Sequence, residues 1–420
     1  MKCVLLAFAV LTISTSLSST CPPEDAARDP SVVMITAAGH RFQLERNGTP
    51  HLVRGACAWD HLAELKAAGG NSLRTWGSRD DPKLYDEADA LGLSVCAGLW
   101  FDWVPNRPEY MRRQFQDLCS RVRQYKDHPA ILVWGLGNEY EVGVSDPALW
   151  KAIEELAAAI KQIDPNHPVI TVVADVTQDK VAALMQHCPS MDALGVNSYG
   201  GLSSLPARLR AYGWDKPYLV TEFGEFGPQD LGKTAWDAPI QLDSTYAAEH
   251  WIGPGLELIA EEMDAGRCLG SYLYLWGVHR QFVATATWYH LFLHSGERLG
   301  GGDAAVRAWT GAAPANRAPE IILFHSSAAL KEVPSGSRHC AEIRCREPDG
   351  DPLLIRWEIL GERPPDSESW PTSYPLCIVE KEDGELTFTA PEEKGAYRLY
   401  AYVLDGKGGA ATANAPFLVR

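Results

Sequence analysis

The chain has 420 residues, more than one ordinary core accommodates, so one large domain with a smaller companion is expected. Apolar residues make up 46% and charged residues 22%, the balance of a folded globular protein. A formal net charge of −16 argues against nucleic acid or an anionic membrane as partner, because either needs a basic face.

Lys2 precedes an apolar run over residues 4–13 and small residues over 14–20. This is the pattern of a secretory leader, and the run is too short to span a bilayer. Residues 1–20 are therefore expected to be removed on export, leaving a secreted or periplasmic protein. Cys21 suggests a lipid anchor, but Ser18-Ser19-Thr20 before it match that signal poorly. No later stretch is long and apolar enough to cross a membrane. Of ten cysteines, Cys57 and Cys96 fall on predicted strands and read as small buried hydrophobes. Cys340, Cys345 and Cys377 lie near the C-terminus, where an exported protein could form a disulfide. No CxxC pair or HExxH is present, so a zinc site has no support.

Asn47-Gly48 between two alternating runs predicts a hairpin. Short apolar runs then alternate with helical patterns. Eight strands are predicted, at 52–58, 72–75, 94–99, 131–136, 169–173, 193–197, 217–221 and 270–275. Helices are predicted at 82–91, 108–126, 147–163, 179–187, 244–263 and 303–309. Eight such units over roughly 250 residues predict a (β/α)8 TIM barrel at 30–314. An open doubly wound sheet competes less well, since no GxGxxG follows the first strand. Asn316-Arg317-Ala318-Pro319 reads as a linker. Beyond it, Asp349-Gly350, Asp383-Gly384 and Asp405-Gly406 mark turns between short alternating strands. Residues 318–420 are expected to form a small all-β immunoglobulin-like sandwich. EPDGDPLLIRWEI and AYVLDGKGGAATA resemble cadherin-like or PKD-type repeats, some of which bind calcium. Plain turn chemistry explains the acidic residues here more simply.

Active sites of barrels lie at the C-terminal strand ends. ILVWGLGNEYEVG places Asn138-Glu139 after the fourth strand, and KPYLVTEFGEFGP places Glu222 after the seventh. Two carboxylates facing each other across a barrel mouth suit glycoside hydrolysis: one is protonated to release the leaving oxygen, the other ionised to attack the anomeric carbon. Glu141 and Glu225 are decoys close by. Asn138 favours Glu139, and the apolar run that Thr221-Glu222 closes favours Glu222.

This pairing resembles glycoside hydrolase clan A, which includes families 2, 5 and 72, over residues 39–314. The resemblance implies a retaining double displacement with Glu139 as acid/base and Glu222 as nucleophile. It implies that Asn138 bonds the sugar 2-OH. Arg74, ending the second strand, stands where the clan keeps an arginine beside the nucleophile. A cation there keeps Glu222 ionised. Tyr199, after the sixth strand, matches the tyrosine that bonds the nucleophile, and Asn197 just before it is a further candidate. Trp276, ending the eighth strand, matches the tryptophan floor of the sugar site. Aromatic platforms suit the apolar faces of sugars. Trp100 and Trp103 are expected to line further subsites, with Trp76 and Trp288 as possible walls. The clan often has a histidine after the third strand and this chain has none, which leaves the immediate family open. His290 and His294 are spaced i, i+4 but lack an acidic partner motif, so a structural role is expected.

The sequence thus predicts an exported retaining glycoside hydrolase acting on a β-linked carbohydrate with no metal or other cofactor, closest in look to family 2-like barrels without the extra domains. Glycosyl transfer is the alternative within enzymes, as in β-glucan-remodelling barrels. A non-catalytic glycan-binding barrel, or an adhesion protein led by the C-terminal domain, is the alternative outside them. Sugar, linkage, endo or exo action and oligomeric state stay open.

Overall fold

The computed structural model describes residues 29–77, 81–278, 286–363 and 370–420. The predicted leader at 1–20 lies outside them.

The chain opens with β1 (Val33–Ala38), β2 (Arg41–Arg46) and β3 (Thr49–Pro50), an antiparallel sheet. Asn47 and Gly48 both take left-handed angles at the β2–β3 turn, as a two-residue hairpin loop requires. Val33 and Leu44 pack with Val53, Leu219 and Leu269, so this sheet closes one end of the barrel. Beside it, Ser31 bonds His167, which bonds Asp164. The order matches a hydrolase triad. However, all three are buried, Ser31 donates to the Ile131 carbonyl, and Trp134 donates to Asp164, so the array is a structural latch.

Eight parallel strands follow and close into a barrel: β4 (Val53–Ala58), β5 (Ser72–Arg74), β6 (Ser94–Leu99), β7 (Ile131–Leu136), β8 (Val169–Ala174), β9 (Ala193–Asn197), β10 (Tyr218–Gly224) and β11 (Cys268–Trp276). Their near-continuous apolar runs reflect burial on both faces. Cys57 and Cys96 point into the barrel with Leu132, Val133 and Tyr272.

The surrounding helices are α1 (Leu62–Ala67), α2 (Asp81–Leu91), α3 (Pro108–Tyr125), α4 (Ala148–Ile163), α5 (Gln178–His187), α6 (Leu205–Ala211), α7 (Ser244–Ala247), α8 (Gly253–Asp264) and α9 (Gly300–Thr310). In α4, buried Trp150, Ile153, Leu156, Ala157 and Ile160 recur at three- and four-residue spacing, forming one apolar stripe against the strands. The single helix expected at 244–263 is broken by a π-helical turn, Ala248–Ile252, ahead of Gly253-Pro254. The sequence reading lacked α1 and α6, whose six and seven residues are too short to show a helical period. No helix among the described residues is long and apolar enough to cross a membrane.

The C-terminal part is a sandwich of two sheets. One contains β16 (Leu354–Gly361), β19 (Gly395–Leu404) and β20 (Gly409–Val419), with β12 (Arg298–Leu299) and β14 (Glu332–Val333) both pairing with β20. The other orders β13 (Glu320–Ser326), β15 (Arg338–Arg346), β18 (Glu385–Thr389) and β17 (Ile378–Glu382). Because β12 precedes α9, the barrel segment and the sandwich share a sheet. Leu299 and Leu293 also pack with Leu360, Tyr400 and Tyr402. The expected linker is pinned: Asn316 bonds Asp405, Arg317 bonds Asp349, and the Ala318 amide bonds Asp303. These contacts occupy two of the acidic turns, and no cluster among the described residues could hold a metal ion. The eight described cysteines, Cys340, Cys345 and Cys377 included, are free thiols.

Candidate active site

Each carboxylate is aimed by a local departure from regular strand geometry. After β7, Gly137 has φ 67° and Glu139 φ 55°. A Cβ on Gly137 would lie 2.0 Å from the Tyr140 ring, so only glycine allows this turn. The Glu139 amide is then tied to the Val172 carbonyl at 2.9 Å. In β10, Val220 packs outward and the pairing register with β9 shifts before Glu222. This irregularity turns Thr221 and Glu222 both toward the barrel mouth, while Phe223 returns to the outer layer.

The structure joins the predicted polar residues into one network. Arg74, at the end of β5 and 2% exposed, donates to Glu222 Oε1 at 2.6 Å, to the Thr221 carbonyl at 3.0 Å and to Asn138 Oδ1 at 2.6 Å. Tyr199 donates to Glu222 Oε2 at 3.0 Å. Asn197 donates to Glu139 at 2.7 Å and to Asn138 Oδ1 at 3.0 Å, and accepts from Thr221 at 2.8 Å. Arg74 and Asn197 both donate to Asn138 Oδ1, which fixes that amide with its oxygen as the acceptor.

The two carboxylates differ electrostatically. Burial, then the charge of Glu222, pushes Glu139 above the usual carboxylate range. Glu222 sits against a buried guanidinium that cannot lose its proton. Burial and the charge of Glu222 hold Tyr199 as a phenol, so it stays a donor.

A cavity of about 490 Å³ opens over this network, lined by Glu139, Asn197, Tyr199, Glu222, Tyr274 and Tyr289 among others. Sequence reasoning missed Tyr274 and Tyr289. It also missed Trp59, which is 45% exposed and stacks on Trp76 at 4.6 Å. Trp76, read only as a possible wall, donates to Glu222 Oε1 at 3.1 Å. Trp59 directly follows β4, a signal that was legible. The tyrosines carried none.

Trp276, Trp103 and Trp288 lie elsewhere than expected. Trp276 is 1% exposed among Phe292, Trp309 and Leu62, outside the barrel strands, and donates to the His61 carbonyl. The β11 register shifts between Leu273 and Trp276, so Tyr274 faces the cavity and Trp276 is rotated away. Trp103 packs against the helix layer, in a groove between α3 and α4. Trp100 is 45% exposed beside Tyr140. Trp288 is buried and donates to the Phe226 carbonyl. The decoys have structural partners: Glu141 accepts from the Ala174 amide and Lys180, and Glu225 from Gln241 and the Tyr289 amide. His290 and His294 meet edge to face, within no metal-binding group.

Residues 55–236 match the family model for the TIM barrel domain of glycosyl hydrolases family 2. The chain is similar to a β-galactosidase of Vibrio cholerae, 26% identical over 220 residues, which cover 45% of this chain and 20% of that protein. It is also similar to a putative β-glucuronidase of Formosa agariphila, 29% identical over 167 residues, 38% of this chain and 14% of that one. The match therefore spans a fifth or less of these curated relatives. A crystal structure of a putative β-galactosidase from Bacteroides fragilis shares the fold, with TM-score 0.51 and 16% identity over 92% of this chain and 57% of that one. The family match runs from the first barrel strand past the seventh, so the part of this chain's (β/α)8 barrel that is similar to the family 2 TIM barrel domain takes in both carboxylates.

Proposed function

We propose that the chain is a retaining β-glycosidase. The observation that carries this reading is the asymmetry between the two carboxylates at one cavity: Glu222 faces Arg74, whereas Glu139 is pushed toward its protonated form. Glu222, ionised, attacks the anomeric carbon, while protonated Glu139 gives its proton to the departing oxygen. The glycosyl–Glu222 ester that forms carries no charge. One of the influences raising Glu139 is then removed, so Glu139, now ionised, can take a proton from incoming water. Water attacks the same carbon and restores Glu222. The amide of Asn138, next to Glu139 and fixed by Arg74 and Asn197, suits a sugar 2-OH, and Trp76 and Tyr199 brace Glu222 from either oxygen. The cavity volume is within the small-ligand range of about 300–1,000 Å³.

The substrate class is a β-linked oligo- or polysaccharide. The curated relatives carry the names β-galactosidase and putative β-glucuronidase, which support the linkage and leave the sugar to experiment. Export belongs to the same proposal, on the leader pattern at residues 1–20; mass spectrometry of the secreted chain's N-terminus tests it. For the reaction, NMR of the first-formed sugar is the test. Release of the β-anomer supports the double displacement, and release of the α-anomer overturns it.

A further inference from the structure

Glu225 is a second buried carboxylate at the end of β10, and the proposed reaction does not use it. Both of its oxygens are engaged. Oε2 accepts from the Tyr289 amide at 2.8 Å and Oε1 from Gln241 at 2.9 Å. Gln241 Oε1 in turn accepts from Thr287 at 2.8 Å and from Asn414 of β20 at 2.7 Å. Asn414 Oδ1 accepts from Arg398 of β19 at 2.6 Å, and Arg398 also bonds Glu362 and the Pro239 carbonyl. Arg398, Asn414, Thr287, Gln241 and Glu225 are all under 9% exposed.

The chain has a direction. Arg398 can only donate, so Asn414 must turn its oxygen toward it and its N–H toward Gln241. Gln241 must then turn its own N–H toward Glu225, whose second oxygen takes the Tyr289 amide. Tyr289 lines the cavity and packs at 5.5 Å from the ring of Tyr199, the donor to Glu222. In a water-poor setting each such bond is costly to leave unmade.

We propose that the C-terminal sandwich completes the active site: Arg398 and Asn414 are positioning residues that act through Gln241 and Glu225 on the Tyr289–Tyr199 wall, and so on Glu222. The proposal rests on the reading of Glu222 as nucleophile. It gives the sandwich a part in the chemistry.

The test uses the full chain and 2,4-dinitrophenyl 2-deoxy-2-fluoro-β-glycosides of galactose, glucose, mannose and glucuronic acid. Ester formation is followed by intact mass and expressed per folded molecule, with folding checked by circular dichroism. Asn414→Ala removes the sandwich's donor. Thr287→Val keeps its shape, lies on the barrel side and carries the test if Asn414→Ala does not fold. The expected result is a labelling rate constant lower by about tenfold in Asn414→Ala, and by a smaller factor in Thr287→Val, at a KI changed by less than about twofold. Unchanged rate constants in the folded variants, with only Tm lowered, overturn the positioning role while leaving the nucleophile assignment intact. A wild type that no probe labels overturns that assignment and the proposal with it.

Discussion

Three donors converge on Glu222, and one of them, Arg74, is almost fully buried. The pair sets both the aim of the Glu222 carboxylate and the cost of disturbing it. Arg74→Met leaves a buried carboxylate without its cation. It is expected to lower stability by about 3–5 kcal/mol. It also removes the donor that aims Glu222 Oε1, so kcat/KM is expected to fall by about a hundredfold or more. Steady-state kinetics on the folded variant check this, and an unchanged kcat/KM contradicts it. Glu141 offers a control two residues from the acid. Its carboxylate accepts from the Ala174 amide and Lys180, so Glu141→Gln weakens that tether by about 1–3 kcal/mol. Turnover is expected to stay within about tenfold of wild type. A thousandfold loss would instead assign the acid to Glu141.

At the level of single elements, the eight barrel strands were legible because burial on both faces writes them as apolar runs between turn residues. Asn138, Glu139, Glu222, Arg74, Asn197 and Tyr199 could be brought together for the same reason, since strand ends fix where residues sit in a barrel. Parity inside a strand was not legible. Strict alternation puts Tyr272, Tyr274 and Trp276 on one face of β11, but the register shift before Trp276 breaks that rule. No residue type in YLYLW announces the shift. Substitutions separate the two aromatic residues. Trp276→Phe loses the bond to the His61 carbonyl and is expected to lower Tm with KM unchanged. Tyr274→Ala removes a cavity wall and is expected to raise KM, with the melting temperature less affected. Kinetics and thermal melts on both variants give the answer, and the opposite pattern would return Trp276 to the sugar site.

Over the whole molecule, the contacts between barrel and sandwich were the least legible feature. Asn316–Pro319 has the composition of a linker, and its partners Asp405, Asp349 and Asp303 are 89, 32 and 15 residues distant, beyond any local pattern. Glu225, at the near end of the buried polar chain, gives this region a pH signature. Burial pushes its carboxyl up from 4.5 to about 7, against the bonds from Gln241 and Tyr289. The folded state therefore holds that proton to higher pH than the unfolded chain. The stability this lends is full below about 4.5 and is lost as pH rises toward about 7. Glu225→Gln lacks the titration, so its Tm relative to wild type is expected to rise across that window and then level off. A flat difference across the same pH range would contradict it.

The central claim is that Glu222 forms the glycosyl-enzyme. The most direct measurement is product release from aryl β-galactoside, β-glucoside, β-mannoside and β-glucuronide by wild type and Glu222→Gln side by side, with folding of both confirmed. The expected result is turnover of at least one glycoside by wild type and a loss of about a thousandfold or more in the variant. Equal turnover by the two proteins, or a wild type that binds a glycan and cleaves none, would contradict it.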